Sequence, residues 1–170
     1  MIYLSIGSCD DERASQSLIA KNLLSALLCS LGFKQTEIIK DRNGRPYLPS
    51  GYPDISISHS GNICAVGVIC DVDAKEGFSF SIPVIGTRIG IDIERFPTDF
   101  DIEKHKRIAG RFLDTDISSP EEFFRLWTRK EAYGKMAGEG FFTKEQIPCN
   151  IYTFVLDHNN EKYCLSIAVK

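Results

Sequence analysis

Long hydrophobic runs are missing from this sequence. No uninterrupted apolar stretch approaches the ~20 residues that a membrane-spanning helix needs. The opening residues, Met1-Ile2-Tyr3-Leu4-Ser5-Ile6, have neither the basic start nor the apolar run of a signal peptide. A soluble, cytoplasmic protein with no membrane partner is expected. An excess of one charge is missing as well. Lys and Arg number 20 against 23 Asp and Glu, a formal net charge of −3. This excludes nucleic-acid binding by bulk charge. Any anionic substrate must find its positive charge gathered locally. Metal-type cysteine spacing is the third absence. Cys9, Cys29, Cys64, Cys70, Cys149 and Cys164 form no C-x-x-C pair and keep no zinc spacing to a histidine. Cys29, Cys64, Cys70 and Cys164 lie in apolar runs, and small buried thiols in a reducing compartment are expected rather than a disulfide framework.

What is present is a chain of 170 residues with 43% hydrophobic and 25% charged residues. That is enough apolar mass for one core and argues against disorder. Residues 2–6 read as a short strand. From 12 to 31, Leu18, Ile19, Leu23, Leu24, Leu27, Leu28 and Leu31 keep helical spacing, and Gly32 stops the helix. Asp41-Arg42-Asn43-Gly44-Arg45-Pro46 is a turn cluster. Strands are expected over 54–58, 63–70 and 89–93. Residues 71–77 read as a loop, and Phe78, Phe80 and Ile82 alternate with serines as an added strand or hairpin. A second helix is expected over 101–112. Ser119-Pro120-Glu121-Glu122 then sets an N-cap serine, a first-turn proline and a capping-box glutamate before a helix running to Ala137, ended by Gly138. Two strands, 151–156 and 163–169, flank a His158-Asn159-Asn160 turn. Helices mixed with antiparallel strands give an α+β fold.

Three segments carry groups suited to phosphate chemistry. In Ile57-Ser58-His59-Ser60-Gly61 a hydroxyl, an imidazole and a glycine can meet a phosphate together. Alone, the segment reads as a polar turn. In Gly90-Ile91-Asp92-Ile93-Glu94 a strand puts Asp92 and Glu94 on one side and the isoleucines on the other. Neighbouring carboxylates repel unless a cation joins them, and hard oxygen donors suit magnesium. Alone, they read as two solvated acids. In Trp127-Thr128-Arg129-Lys130-Glu131-Ala132-Tyr133-Gly134-Lys135 helical spacing sets Trp127, Glu131 and Lys135 on one face. A tryptophan seeks burial, so the carboxylate beside it is held near the core edge.

Together and in this order, I-S-H-S-G, G-I-D-I-E and W-x-x-K-E-A-x-x-K resemble the 4'-phosphopantetheinyl transferase superfamily, in particular its longer surfactin-synthetase-activating type. The short trimeric holo-acyl-carrier-protein synthases share only the last two segments. The resemblance implies a monomer of two similar halves related by a pseudo-twofold, each with a long helix on an antiparallel sheet. Residues 1–86 would form the half that meets the nucleotide phosphates, and 87–170 the half with magnesium and catalysis. It implies magnesium held by Asp92, Glu94 and Glu131. Lys135 would contact the phosphate under attack, and Glu131 would take the proton from the attacking serine. Ser58, His59 and Arg45 would bind phosphates of coenzyme A. The implied partner is an apo acyl or peptidyl carrier protein, whose serine receives phosphopantetheine as 3',5'-ADP leaves. An apolar carrier contact is expected near Phe141-Phe142.

Two departures from the family pattern stand out. No lysine or arginine precedes the first helix, leaving Arg13 and Lys21 as the nearest cations, with Ser17 where the family has a hydroxyl near the nucleotide. The stretch from Gly61 to Gly90 is long, and an inserted hairpin is expected at about 71–86. The alternatives are a catalytically impaired coenzyme A or carrier-protein binding module of the same fold, and a magnesium-dependent phosphohydrolase built on the same acids.

Overall fold

Alternation of apolar residues along the strands decides which face of each sheet meets which neighbour. The structure, a computed structural model, describes residues 1–10, 12–34, 37–72, 81–82, 87–141 and 147–170. The chain runs β1 (Ile2–Ser8), α1 (Arg13–Ser30), β2 (Ile39–Lys40), β3 (Pro46–Tyr47), β4 (Asp54–Ser60), β5 (Ile63–Ile69), β6 (Ser81–Ile82), β7 (Ile89–Arg95), α2 (Ile102–Phe112), α3 (Pro120–Ala137), β8 (Asn150–His158) and β9 (Glu161–Val169). One sheet has the order β4-β5-β1-β6, another β7-β9-β8, and β2 pairs with β3. All pairings are antiparallel, as the α+β expectation requires.

The two larger sheets share a core. Ile2 and Leu4 of β1 and Ile63 and Ile69 of β5 meet Ile89, Ile91 and Ile93 of β7 and Tyr163, Leu165 and Ile167 of β9. The opposite faces take the long helices. Leu24, Leu27 and Leu28 of α1 pack on Ile55, Val66 and Val68. Ala132 and Met136 of α3 pack on Ala168. Period-two alternation therefore sends the isoleucines of β7 into the inter-sheet core and leaves Gly90, Asp92 and Glu94 facing α3.

Gly90 is what lets α3 come so close. A Cβ built there would stand 2.0 Å from the Ala132 carbonyl oxygen and 2.4 Å from the Met136 amide nitrogen. Both are backbone atoms and neither can swing aside. Gly90→Ala is expected to cost roughly 2 kcal/mol in urea unfolding, the scale of an overpacked core, by prising β7 from α3.

The sequence boundaries hold with adjustments. β4 runs on to Ser60, so Ser58 and His59 lie inside a strand and Gly61, at φ +52°, makes the turn with Asn62. The Ser119 hydroxyl caps α3 by accepting from the Glu122 amide at 3.1 Å, and Gly138 ends the helix at φ +80°. The Glu122 carboxylate reaches back to the amide and hydroxyl of Ser118, both at 2.7 Å, one residue before the expected capping-box partner. The β8–β9 hairpin turns on Asn159 and Asn160, both at positive φ, which matches a two-residue hairpin loop. Cys64, Cys70 and Cys164 are buried, but Cys29 is exposed. It sits on the outer face of α1, because an apolar run wraps all round a helix. Most of the hairpin expected at 71–86 lies outside the described residues. Of it, Ser81–Ile82 pairs with the start of β1. No helix among the described residues is long and apolar enough to cross a membrane.

Candidate active site

The carboxylate of Asp92 is buried, at 4% exposure. Its Oδ1 accepts from Lys135 Nζ at 2.7 Å and from the Ser58 hydroxyl at 3.0 Å. Its Oδ2 is the one buried side-chain polar atom among the described residues without a hydrogen-bond partner. A carboxylate oxygen left so is costly unless something fills the place. Glu94, one pleat along, accepts from the Ser60 hydroxyl at 2.8 Å. Lys135 Nζ also donates to the Ser58 hydroxyl at 3.0 Å.

These groups open on a cleft of about 530 Å³ between the two long helices. Its acidic wall is Asp92 and Glu94 of β7 with Glu131 of α3, and Lys135 stands beside them. Ser58 and His59 of β4 line the floor. Ser17 and Lys21 from α1 and Lys40 from β2 complete the polar lining. The cleft thus gathers three acids and two exposed lysines in one lining, an arrangement for a ligand that is anionic yet bound with a cation.

All three acids are held above the usual carboxylate range. Burial is the first cause in each case. Glu94 is pushed up to about 7, by burial and then by the Asp92 charge, against the Ser60 hydrogen bond and Lys135. Asp92 is raised by burial although Lys135 and Ser58 pull it down. Glu131 is raised by burial and by Asp92. Glu94 and Glu131 both feel the Asp92 charge, so the acids form one electrostatic unit.

Among the described residues, no three His, Cys, Asp or Glu side chains stand close enough together to hold one ion as they are placed. The donor set nonetheless fits a hard divalent cation: carboxylate oxygens only, mutually repelling, one of them buried and orphaned.

Arg45 lines a hollow that adjoins the cleft. Its guanidinium pairs with Asp54 at 2.7 Å and donates to the carbonyls of Lys135 at 3.0 Å and Ile89 at 3.3 Å. It ties β4, β7 and α3 together, and the smaller hollow that it borders shares Glu131 and Lys135 with the cleft. The Ser58 hydroxyl, at 6% exposure, is likewise committed to Asp92, Lys135 and the Ile93 amide. Gly61 makes room for the Arg95 side chain, since a Cβ there would meet Arg95 Cδ at 2.8 Å. Trp127 anchors α3, with ring centroids 5.4 Å from Phe123 and 4.5 Å from Phe141. Lys130 donates to the Phe112 carbonyl and lies 5.0 Å from the Phe141 ring centroid, bridging α2 to α3. Phe142 lies outside the described residues. Sequence reasoning missed Lys40. Its position just before the turn cluster, on a strand that returns through Pro46, was the available signal.

Comparison with known proteins narrows the chemistry. Residues 88–165 match the 4'-phosphopantetheinyl transferase superfamily. The matched stretch runs from β7 through α3 into β9 and contains Asp92, Glu94, Glu131 and Lys135. A curated Bacillus subtilis protein named 4'-phosphopantetheinyl transferase is 35% identical over 104 residues, covering 57% of this chain and 39% of that protein. The chain therefore matches well under half the length of this relative. Both comparisons are likenesses to this superfamily over part of the chain.

Proposed function

We propose that this chain transfers 4'-phosphopantetheine from coenzyme A to a serine of an apo acyl or peptidyl carrier protein, with magnesium. The observation that carries the reading is the buried, unpartnered Asp92 Oδ2 beside Glu94, Glu131 and Lys135, in the segment that matches the superfamily. Asp92, Glu94 and Glu131 would hold the metal, which when bound neutralises charge developing on the pyrophosphate oxygens. The carrier serine oxygen forms a bond to the β-phosphorus, and the bond to the bridging oxygen breaks, releasing 3',5'-ADP. Glu131 takes the serine proton, a role that a raised carboxylate pKa suits. Lys135, fixed by Asp92 and Ser58, presents positive charge to the phosphate under attack. No covalent enzyme intermediate is needed, so catalysis rests on positioning and electrostatics.

Lys21 and Lys40, with His59, take the nucleotide phosphates. Arg45 and Ser58 serve the nucleotide indirectly, by holding Lys135 and Asp92. The sheet-and-helix units are read as the related halves 1–86 and 87–170 of a monomer. Lys21→Ala with Lys40→Ala is expected to raise KM for coenzyme A roughly tenfold, about 1.4 kcal/mol, with kcat nearly unchanged, in steady-state kinetics.

The deciding experiment incubates an apo carrier protein with the chain, magnesium and coenzyme A and weighs the carrier by mass spectrometry. Gain of one phosphopantetheinyl group is the expected result. No gain on acyl or peptidyl carriers would overturn the reading. Release of 3',5'-ADP without a carrier would point to hydrolysis instead.

A further inference from the structure

β4 and β7 are edge strands of different sheets, yet they are joined along their length. Every second side chain of β4 accepts from a β7 amide. Asp54 Oδ2 takes the Ile89 amide at 2.8 Å, Ser56 Oγ the Ile91 amide at 2.9 Å, Ser58 Oγ the Ile93 amide at 3.2 Å and Ser60 Oγ the Arg95 amide at 3.0 Å. Side-chain oxygens thus replace the backbone carbonyls that a neighbouring strand would offer, and the β7 edge is left with its amides satisfied.

This ladder fixes where two hydroxyl protons point. A serine hydroxyl has one proton and two lone pairs. The Arg95 amide occupies Ser60 from one side, and the proton goes to Glu94 Oε2 at 2.8 Å. The Ile93 amide and Lys135 Nζ fill both lone pairs of Ser58, and its proton goes to Asp92 Oδ1 at 3.0 Å. In both cases the amide one residue beyond an acid turns the serine so that it donates to that acid. Ser60 is the one hydrogen-bond partner of the Glu94 carboxylate among the described residues.

We propose that Ser60 and Ser58 are positioning residues, which set the rotamers of Glu94 and Asp92 through a side-chain ladder clamped on the β7 backbone. The I-S-H-S segment thereby acts on the reaction through the acids, while Ser58 and His59 also line the cleft. This inference rests on the transferase reading for its consequence in catalysis, but its geometry does not depend on it.

The test compares Ser60→Ala, Ser60→Thr and Glu94→Gln in the full chain. In a crystal structure of Ser60→Ala the Glu94 carboxylate is expected to leave its place, and in Ser60→Thr to keep it. Magnesium titration calorimetry should show about tenfold weaker binding for Ser60→Ala, the scale of one lost charge-assisted hydrogen bond, with recovery in Ser60→Thr. Turnover should fall by about as much while KM for coenzyme A is unchanged. In the Glu94→Gln background Ser60→Ala should have no further effect, which a merely structural role would not produce. Ser60→Cys, similar in shape with a weak donor, makes the same comparison if Ser60→Ala does not fold. A Glu94 carboxylate that stays in place without the Ser60 hydroxyl overturns the proposal. So does a raised KM with kcat intact, which would give the hydroxyl to the nucleotide. If the native chain transfers nothing, the transferase reading fails, and the crystal structures still decide the positioning.

Discussion

Asp92→Asn is expected to lower transfer by about three orders of magnitude, roughly 4 kcal/mol of transition-state stabilisation, without lowering the metal-free Tm. The two halves of this expectation have different causes. Catalysis loses a charge from the acid unit, and a neutral amide cannot replace a carboxylate toward a cation or restrain Lys135 as strongly. Stability is spared because the native carboxylate is itself under tension. Burial acts on it more strongly than Lys135 and Ser58 do, and its Oδ2 has no partner. The asparagine oxygen can still accept from Ser58 and Lys135. Lys135, with its side chain 31% exposed, can recover water when the ion pair weakens. Turnover at the native level in this variant would remove Asp92 from the chemistry. A large fall in Tm together with turnover would make its role structural instead.

The metal-free chain should lose stability as pH rises from about 5 to about 8, and Glu94→Gln should remove much of that loss. Glu94 titrates at about 7 in the folded chain against 4.5 ordinarily. The folded state therefore holds this proton more tightly than the unfolded state does. The stabilisation is complete below 4.5 and is lost as pH climbs through about 7. The difference of about 2.5 units corresponds to roughly 3 kcal/mol, or a Tm change of roughly 10 °C in a chain of this size. Asp92 and Glu131 shift in the same direction and add to the slope. Magnesium should counter it. A cation needs the deprotonated acids, so its affinity rises with pH across the same window while protons leave. Thermal melts of native and Glu94→Gln chains, at several pH values with and without magnesium, check both directions. A native Tm that is flat over this range, or a slope unchanged in Glu94→Gln, would show that the acids do not strain one another.

Local periodicity made much of this legible in the sequence. Asp92 and Glu94 could be set on one face because a strand alternates strictly, and Glu131 and Lys135 because a helix returns every four residues. The caps of α3 were legible because Ser119, Pro120 and Gly138 act within a few residues of the chain. The β4 ladder was not legible. It joins side chains to amides 35 residues away across two sheet edges, and no local pattern encodes that. Arg45 is similar: a basic residue after a glycine reads as phosphate-seeking, and no local pattern shows that Asp54 stands 2.7 Å from it. Lys40 went unnoticed because a two-residue strand has no period to read. Gly90 could have been found, since a glycine inside a strand pattern marks a close approach of another backbone. Here that backbone is α3, and the approach carries the acids of β7 to those of the helix.

The whole account needs Asp92, Glu94 and Glu131 to act on one cation. Calorimetric titration of the metal-free chain with magnesium near pH 8 tests this most directly. One ion bound per chain, with affinity falling as pH drops through about 7 and with binding lost in Asp92→Asn and weakened in Glu131→Gln, is the predicted result. Failure to bind magnesium, or binding that neither substitution changes, would contradict it.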